Sequence, residues 1–287
     1  MPSVPRLNGA IRALEQGQPA FVTFSAADTA SAQAIGDAAY DAVVFEMEHG
    51  PYDVRLLRDC LQYMLNRRQI AQSGSVAPAV TPMVRIPPNG GEANQWVAKQ
   101  VLDSGVYGVV WPHVSTVEDA RNAVAACRYP RPTSAPRFDP AGQRGDAPAA
   151  AARYWGVSQP DYYSRADVWP LASDGEILVV IMCEEARAIQ NLRQILREVP
   201  GIGVVLIGEG DLSQDLGFPR QYEHPSVAAA IQEIVSICKD AGVVCGHPHV
   251  DESNVERLLE MGFRWLMASP ERSYKALELG RKTAGRG

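Results

Sequence analysis

The chain has 287 residues, of which 46% are hydrophobic and 21% are charged, and its formal net charge is -6. This balance predicts a globular protein with a sizeable core, and the lack of a Lys/Arg cluster argues against nucleic-acid or anionic-membrane partners. No apolar run approaches the ~20 residues that span a bilayer, and no signal-peptide core stands at the start, so we expect a cytoplasmic protein.

Eight short β-rich runs are predicted along the chain, several of them almost continuously apolar, as expected of strands covered on both faces. They are residues 20–24, 42–46, 83–86, 107–111, 177–182, 203–207, 242–245 and 263–268. Helical spacing lies between them at residues 30–39, 54–66, 91–103, 117–128, 185–197, 225–241 and 252–261. This alternation predicts one α/β domain over residues 1–287, a (β/α)8 TIM barrel. A doubly wound sheet is disfavoured because no G-x-G-x-x-G follows the first strand.

Two segments interrupt the alternation and are predicted as loops. Residues 67–82 are polar and rich in Pro and Ala, and a longer insertion covers about residues 129–175, between the fourth and fifth strands. An insertion of this length is usually functional or partly disordered. It contains aromatic residues such as Trp155 and Trp169, which we expect to pack on the active-site mouth or on a neighbouring subunit.

The five cysteines are spread along the chain without a C-x-x-C pair, so they predict neither a disulfide framework nor a zinc site. Most stand among apolar residues, and we interpret them as small buried hydrophobic side chains. They are Cys60, Cys127, Cys183, Cys238 and Cys245.

Polar side chains follow the C-terminal ends of the predicted strands, where barrel enzymes carry their active sites. Single positions have simpler interpretations: Asp211 can be an N-cap, Asp251 is the N-cap candidate of the last helix, and His224 fits a structural role at a helix start. The concentration of charged groups is harder to explain by capping alone. In chain order the strand-end residues are Glu46, Glu48, His49, Arg85, His113, Glu184, Gly208, Glu209, Gly210, Asp211, His247, His249 and Ser269, the two later histidines flanking a proline in a predicted loop.

Glu184 and Asp211 follow adjacent predicted strands and can provide two hard oxygen ligands for Mg2+ or Mn2+. A 2-oxo acid would fill two more positions through its carboxylate and keto oxygens, and the metal would stabilise an enolate. Arg85 can face the developing oxyanion. The residues therefore predict a metal-dependent carbon–carbon lyase.

His49 is the natural proton shuttle, oriented by Glu46 or Glu48, because imidazole titrates near neutrality. Imine chemistry is less favoured, because no lysine ends a predicted strand. The four lysines, in predicted helices or the C-terminal tail, are Lys99, Lys239, Lys275 and Lys282.

Several segments carry a family resemblance over about residues 8–275. They are D-A-V-V-F-E-M-E-H-G-P-Y-D at 41–53, M-V-R-I at 83–86, C-R-Y-P at 127–130, G-Q-R-G at 142–145, the strand leading to Glu184, L-I-G-E-G-D-L-S at 206–213 and H-P-S-V at 224–227. In their order and spacing the chain resembles the HpcH/HpaI family of class II pyruvate aldolases, which includes macrophomate synthase-like enzymes.

The resemblance implies a barrel of the phosphoenolpyruvate/pyruvate type and a homo-oligomer, usually a hexamer built as a trimer of swapped dimers. It implies cleavage or formation of a 4-hydroxy-2-oxo acid, with pyruvate and an aldehyde as partners and Mg2+, Mn2+ or Co2+ as cofactor. It also implies site roles: Glu184 and Asp211 as metal ligands, Arg85 on the pyruvyl oxygen, His49 as acid/base, and the backbone of Gly208, Glu209 and Gly210 around the substrate carboxylate.

Three positions depart from the family pattern. Met182 stands where Gln is frequent and removes a polar contact from the substrate pocket, Glu209 with Gly210 stands where G-P-x-D is common, and Glu46 replaces a more usual Asp. A related 2-oxo acid decarboxylase, a CoA-ester lyase and a non-catalytic 2-oxo acid-binding barrel are the alternatives. A CoA-ester lyase needs a basic CoA-binding surface, which the sequence does not show.

Overall fold

The computed structural model describes residues 5–87 and 95–269, and its centre is a closed barrel of parallel strands. β1 pairs with both β2 and β9, and β4 pairs with β6, which closes the ring. The two-residue β5 only adds to the edge of β6. The (β/α)8 prediction is therefore confirmed. The strands are β1 (Ala20–Ala26), β2 (Ala42–Glu46), β3 (Thr81–Arg85), β4 (Gly108–Trp111), β5 (Val168–Trp169), β6 (Ile177–Cys183), β7 (Val204–Ile207), β8 (Val244–Val250) and β9 (Trp265–Ala268).

The helices surround this ring, and side-chain caps fix where several of them begin. Asp28, Asp53 and Thr116 each accept a backbone N–H in the first turn of the helix that follows. The described helices are α1 (Gly9–Glu15), α2 (Thr29–Ile35), α3 (Val54–Met64), α4 (Arg67–Ser73), α5 (Gln95–Ser104), α6 (Val117–Ala126), α7 (Ala149–Trp155), α8 (Gln159–Arg165), α9 (Ala186–Glu198), α10 (Glu209–Asp215), α11 (Pro225–Ala241) and α12 (Val255–Met261). None of these helices has the length and apolar character to cross a bilayer.

Several predicted boundaries are corrected. The segment 67–82 is not all loop, because α4 occupies its first half with Asn66 as N-cap. The last predicted helix begins at Val255 rather than 252, and Asp251 accepts the N–H of Ser253 in a turn instead of capping α12. Asp211 lies inside α10 and is not its N-cap, whereas His224 caps α11 as expected of a structural residue.

The seventh barrel strand was placed too early in the sequence. Gly242 has φ 67° and ends α11, so it cannot begin a strand, and β8 starts at Val244. The strand then continues to Val250 with an irregular register after His247. His247 and His249 consequently belong to β8 and not to a loop.

The predictions for the cysteines and the lysines are confirmed where the structure describes these residues. All five cysteines are free and buried. Lys99 and Lys239 lie in α5 and α11. Lys275, Lys282 and the predicted helix start at 91–94 lie outside the described residues.

Alternating strand residues fill two separate cores, as the pleat requires. Val22, Val44 and Leu206 pack inside the barrel, whereas Val43 and Phe45 pack against the helices. Helix α1 contributes Ala10 and Ile11 to the inner core. The N–H of Gly9 donates to Thr81 Oγ1, at 2.7 Å, where β3 begins. Helix α1 therefore closes the N-terminal end of the barrel.

The 129–175 insertion is ordered by α7 and α8 and packs on the same closed end. Trp155 stacks on Tyr107 with 4.3 Å between ring centroids, and its Nε1 donates to the Gly105 carbonyl at 2.8 Å. Tyr107 directly precedes β4, on the side opposite the C-terminal rim. The expectation that these aromatics cover the active-site mouth is therefore wrong for Trp155, because the insertion is anchored to the N-terminal side.

A buried arginine joins the insertion to α5. The Arg144 side chain is fully buried and pairs with Asp103 at 2.9 Å, and its guanidinium lies 4.2 Å from the Tyr129 ring centroid. Its Nη2 also donates to the Tyr162 hydroxyl at 3.0 Å. One cation thus ties together three separate stretches of chain.

Candidate functional site

The C-terminal rim gathers charged side chains from neighbouring strands. Glu46 and Arg85 are register partners at the last positions of β2 and β3. Arg85 Nε donates to Glu46 Oε2 at 2.8 Å, and Nη2 makes a second contact to the same oxygen. The guanidinium also lies over the Phe24 ring, at 4.6 Å from its centroid. These contacts hold Arg85 in one orientation at the mouth of the barrel.

Glu46 also shapes the turn that follows β2. Its Oε1 accepts the backbone N–H groups of Glu48 and His49, at 2.8 and 3.1 Å. The Glu48 side chain is then only 5% exposed, whereas that of His49 is 65% exposed. One carboxylate therefore fixes a buried acid and an accessible imidazole on the same turn.

Glu48 is surrounded by three possible proton donors. Its Oε2 lies 3.1 Å from Arg85 Nη1 and 3.6 Å from His49 Nε2, and its Oε1 lies 3.8 Å from His113 Nε2. Burial raises the pKa of the Glu48 carboxyl, although the charge of Arg85 opposes the shift. Among the two acids proposed to orient His49, Glu48 contacts its imidazole and Glu46 its backbone.

Glu184 follows β6 and is the most enclosed acid of the rim. Its Oε1 accepts the backbone N–H of His113 at 2.6 Å. Burial raises the pKa of Glu184 to about 7, and the nearby charge of Asp211, from the first turn of α10, adds to the shift. The His113 imidazole also lies close, with its Nδ1 3.6 Å from Glu184 Oε1. A buried carboxyl next to a second carboxyl has the chemistry of a divalent-cation ligand.

The close approach of Gly208 to Glu184 brings the two segments together. A Cβ at position 208 would lie 2.2 Å from Glu184 Oε2, so only glycine fits this contact. In the described ranges, 5–87 and 95–269, no group of three or more His, Cys, Asp or Glu side chains is placed to hold a metal ion. The assignment of Glu184 and Asp211 as a pair of oxygen ligands therefore stays a prediction.

His113 and Glu185 belong to this rim, although neither was assigned a role from the sequence. His113 has φ 54°, in the left-handed region, and its Nδ1 lies 3.1 Å from Glu185 Oε1. Burial disfavours its charged form, but Glu184, Glu185 and Glu48 outweigh this and raise the pKa of His113. The sequence signals were the position of His113 at the end of the fourth strand and the pair of glutamates directly after a fully apolar strand.

Met182 and the glycine segment occupy different surroundings. Met182 faces the barrel interior, and its Sδ lies 3.7 Å from Arg85 Nη1, so it forms the apolar wall beside this cation. Gly208 contacts Glu184, whereas a Cβ at Gly210 would meet no atom within 4 Å. The structure thus brings Met182, Arg85, Glu184 and Gly208 to one side of the mouth.

The Glu209 side chain contacts two histidines of β8. Its Oε1 lies 3.1 Å from His247 Nε2, and its Oε2 lies 2.6 Å from His249 Nδ1. Burial opposes its ionisation, but these hydrogen bonds outweigh it and lower the pKa of Glu209 to about 2. Glu209 and His247 line a cavity of about 590 Å³ that is otherwise bounded mainly by α11 and α12, in the helix layer.

Comparison with known proteins identifies the family of this barrel. The family model described as HpcH/HpaI aldolase/citrate lyase matches residues 20–268. The chain belongs to the HpcH/HpaI aldolase/citrate lyase family. Its membership confirms the resemblance drawn from the sequence and the prediction of a carbon–carbon lyase.

Individual relatives cover most of both chains. A hydroxypyruvate/pyruvate aldolase of Roseobacter denitrificans is 32% identical over 261 residues, 91% of this chain and 90% of that protein. A 4-hydroxy-2-oxo-heptane-1,7-dioate aldolase of Salmonella paratyphi B is 34% identical over 254 residues, covering 87% and 83%. The crystal structure of an HpcH/HpaI aldolase/citrate lyase family protein from Burkholderia cenocepacia J2315 matches with a TM-score of 0.75 and 26% identity, over 97% of this chain and 98% of that one.

Proposed function

We propose that the protein is a divalent-metal-dependent aldolase that cleaves or forms 4-hydroxy-2-oxo acids through the enolate of a small 2-oxo acid. The observation that carries this proposal is the enclosed Glu184 carboxyl, which contacts Gly208 and the His113 N–H. It also interacts electrostatically with the Asp211 carboxyl. Relatives named as aldolases for hydroxypyruvate, pyruvate and a 4-hydroxy-2-oxo diacid support the same reaction class.

Glu184 and Asp211 would hold the cation, with Mg2+, Mn2+ or Co2+ as candidates because these ions prefer oxygen ligands and retain exchangeable positions. When bound, such an ion supplies Lewis-acid stabilisation of negative charge on the 2-oxo acid. Gly208 leaves room for the Glu184 carboxylate, and the His113 N–H orients it. The backbone from Gly208 to Gly210 is proposed to bind the substrate carboxylate.

Arg85 would bind the keto oxygen through its guanidinium, which Glu46 and Glu48 orient. His49 would accept the proton of the 4-hydroxyl group during cleavage and return it during synthesis. Its Nε2 lies 3.6 Å from Glu48 Oε2, so the carboxylate can stabilise the imidazolium that forms. Met182 would place an apolar wall beside the bound 2-oxo acid.

The test is turnover of 4-hydroxy-2-oxo acids by the purified full chain, after chelator treatment and after addition of Mg2+, Mn2+ or Co2+. Release of pyruvate or hydroxypyruvate is followed with a coupled dehydrogenase, and oxaloacetate is included in the panel to detect decarboxylation. We expect turnover that depends on added metal and is greatly lowered in His49→Ala. A lack of metal-dependent turnover across the panel, or full activity of His49→Ala, would contradict the proposal.

We also propose that the protein is a homo-oligomer. Large apolar side chains lie exposed on the surface, including Tyr63 at 56% and Trp96 at 53% exposure. Light scattering coupled to size-exclusion chromatography measures the mass directly, and a hexamer is expected. A monomer at micromolar concentration would contradict this part of the proposal.

A further inference from the structure

A network outside the proposed ligand pair connects Glu184 to the loop after β4. Both oxygens of Glu185 are occupied: Oε1 lies 3.1 Å from His113 Nδ1, and Oε2 accepts the Ser115 hydroxyl at 2.6 Å. The Ser115 carbonyl is held in turn by Asn191 Nδ2 at 2.8 Å. Glu185 therefore ties two residues of this loop to the start of α9, and is not itself free to bind a cation.

The same loop residue also contacts the proposed metal ligand. The His113 backbone N–H donates to Glu184 Oε1 at 2.6 Å, and it does so from φ 54°. A non-glycine residue in this left-handed conformation is strained and persists only when its surroundings enforce it. The His113 Nδ1 lies 3.1 Å from Glu185 Oε1 and 3.6 Å from Glu184 Oε1, and the shorter contact, with Glu185, holds the imidazole from the side of α9.

From this geometry we propose that Glu185 is a positioning residue. Through the imidazole and the backbone of His113 it orients the Glu184 carboxylate for a divalent cation. The inference rests on the proposed metal site, and it adds a residue that the ligand pair alone does not identify. Partners of metal ligands commonly alter metal affinity by about 10- to 100-fold.

Glu185 is well suited to mutation because it makes no capping hydrogen bond to α9. Mn2+ affinity of the full chain is measured by titration with EPR detection of the free ion. We expect Glu185→Ala to weaken Mn2+ binding by about 10- to 100-fold. Glu185→Gln keeps a hydrogen-bond acceptor for Ser115, so its Mn2+ affinity should fall much less. The matched control is Arg187→Ala, an exposed residue two positions further along the same helix, and it should bind Mn2+ like the wild type.

A double-mutant cycle tests the route through His113. His113→Gly removes the imidazole and fits φ 54° without strain, so Glu185→Ala should add little further loss in that background. His113→Ala should bind Mn2+ more weakly than His113→Gly, because only glycine adopts this conformation freely. Thermal midpoints of all variants separate weak binding from unfolding.

The outcomes are distinguishable from failure of the proposed function. A wild type that binds no Mn2+ would remove the metal site itself. Wild-type Mn2+ affinity in Glu185→Ala, with a wild type that binds, would overturn only the positioning role. Fully additive losses in the double mutant would also overturn it, because Glu185 would then act independently of His113.

Discussion

Replacement of Gly208 by alanine is the sharpest test of the rim geometry. The added Cβ would lie 2.2 Å from Glu184 Oε2 and 2.6 Å from Glu184 Cβ. Ordinary contact between such atoms needs roughly 3.5 Å, so the two groups must separate by about 1 Å. Rotation of the carboxylate does not relieve the contact with the Glu184 Cβ, and the chain after β6 or before α10 must move.

A displacement of this size has a large expected effect on chemistry. A misplacement of about 1 Å can cost about 10²-fold in rate, which is about 2.7 kcal/mol of transition-state stabilisation. We therefore expect Gly208→Ala to lower kcat/KM by about 10²-fold and to weaken Mn2+ binding, measured by calorimetry. The backbone at Gly208 has φ -97°, which alanine can adopt, so the effect would arise from contact rather than from strain.

Gly145→Ala is the matched control for this substitution. Its Cβ would meet only the flexible end of Lys99, at 3.6 Å, which is an ordinary contact. We expect this variant to keep wild-type activity, Mn2+ affinity and thermal midpoint. Unchanged Mn2+ affinity and kcat/KM in Gly208→Ala would refute the claim that this glycine sets the position of Glu184.

Three further predictions concern single side chains. Arg85→Lys keeps the charge but cannot span both carboxylate partners, so kcat/KM should fall by about 10- to 100-fold in the assay above with the thermal midpoint unchanged; full activity would exclude a bidentate role. Arg144→Met leaves the partly buried Asp103 without its arginine partner, so the free energy of unfolding measured in urea should fall by about 3 kcal/mol; a loss below about 1 kcal/mol would contradict a stabilising role for this pair. Hydrogen bonds from Ser31 lower the pKa of Asp28, the N-cap of α2, below its ordinary 3.8. The stabilisation from this cap, about 1 kcal/mol, is therefore fully present above pH 3.8 and is lost as the pH falls through the folded-state pKa. Unfolding free energies measured from about pH 5 downward, through the folded-state pKa, should show this loss relative to Asp28→Asn, which caps without titrating, and parallel curves would refute it.

The barrel strands could be predicted because burial on both faces leaves long apolar runs, such as the fully buried β6. Five of the short helices were not predicted. α1, α4, α7, α8 and α10 have seven residues each, about two turns, which gives a weak hydrophobic period; α2 and α12 are equally short but were predicted, at 30–39 and 252–261. Their positions follow from local caps and tertiary contacts, such as the Asn66 cap and the Trp155 stack.

The rim was predicted as a set of residues but not as a set of contacts. Glu46 and Arg85 could be placed together because parallel strand ends meet. The contact of His113 with Glu185 depends on β4 pairing directly with β6, and on a left-handed residue that the sequence does not signal. The side chain of Glu209 contacts β8 because of helix orientation, which spacing alone does not determine.

The position of the aromatic insertion has a practical consequence for altering substrate scope. Trp155 and helix α1 secure the floor of the barrel, far along each strand from the residues proposed to react. Changes aimed at new aldehydes can be confined to the opposite opening and will leave the main folding contacts of the floor in place. Substitutions that change the aldehyde acceptor and substitutions that raise thermal stability can therefore be selected at separate positions. Because these positions are far apart, their effects should add when the substitutions are combined.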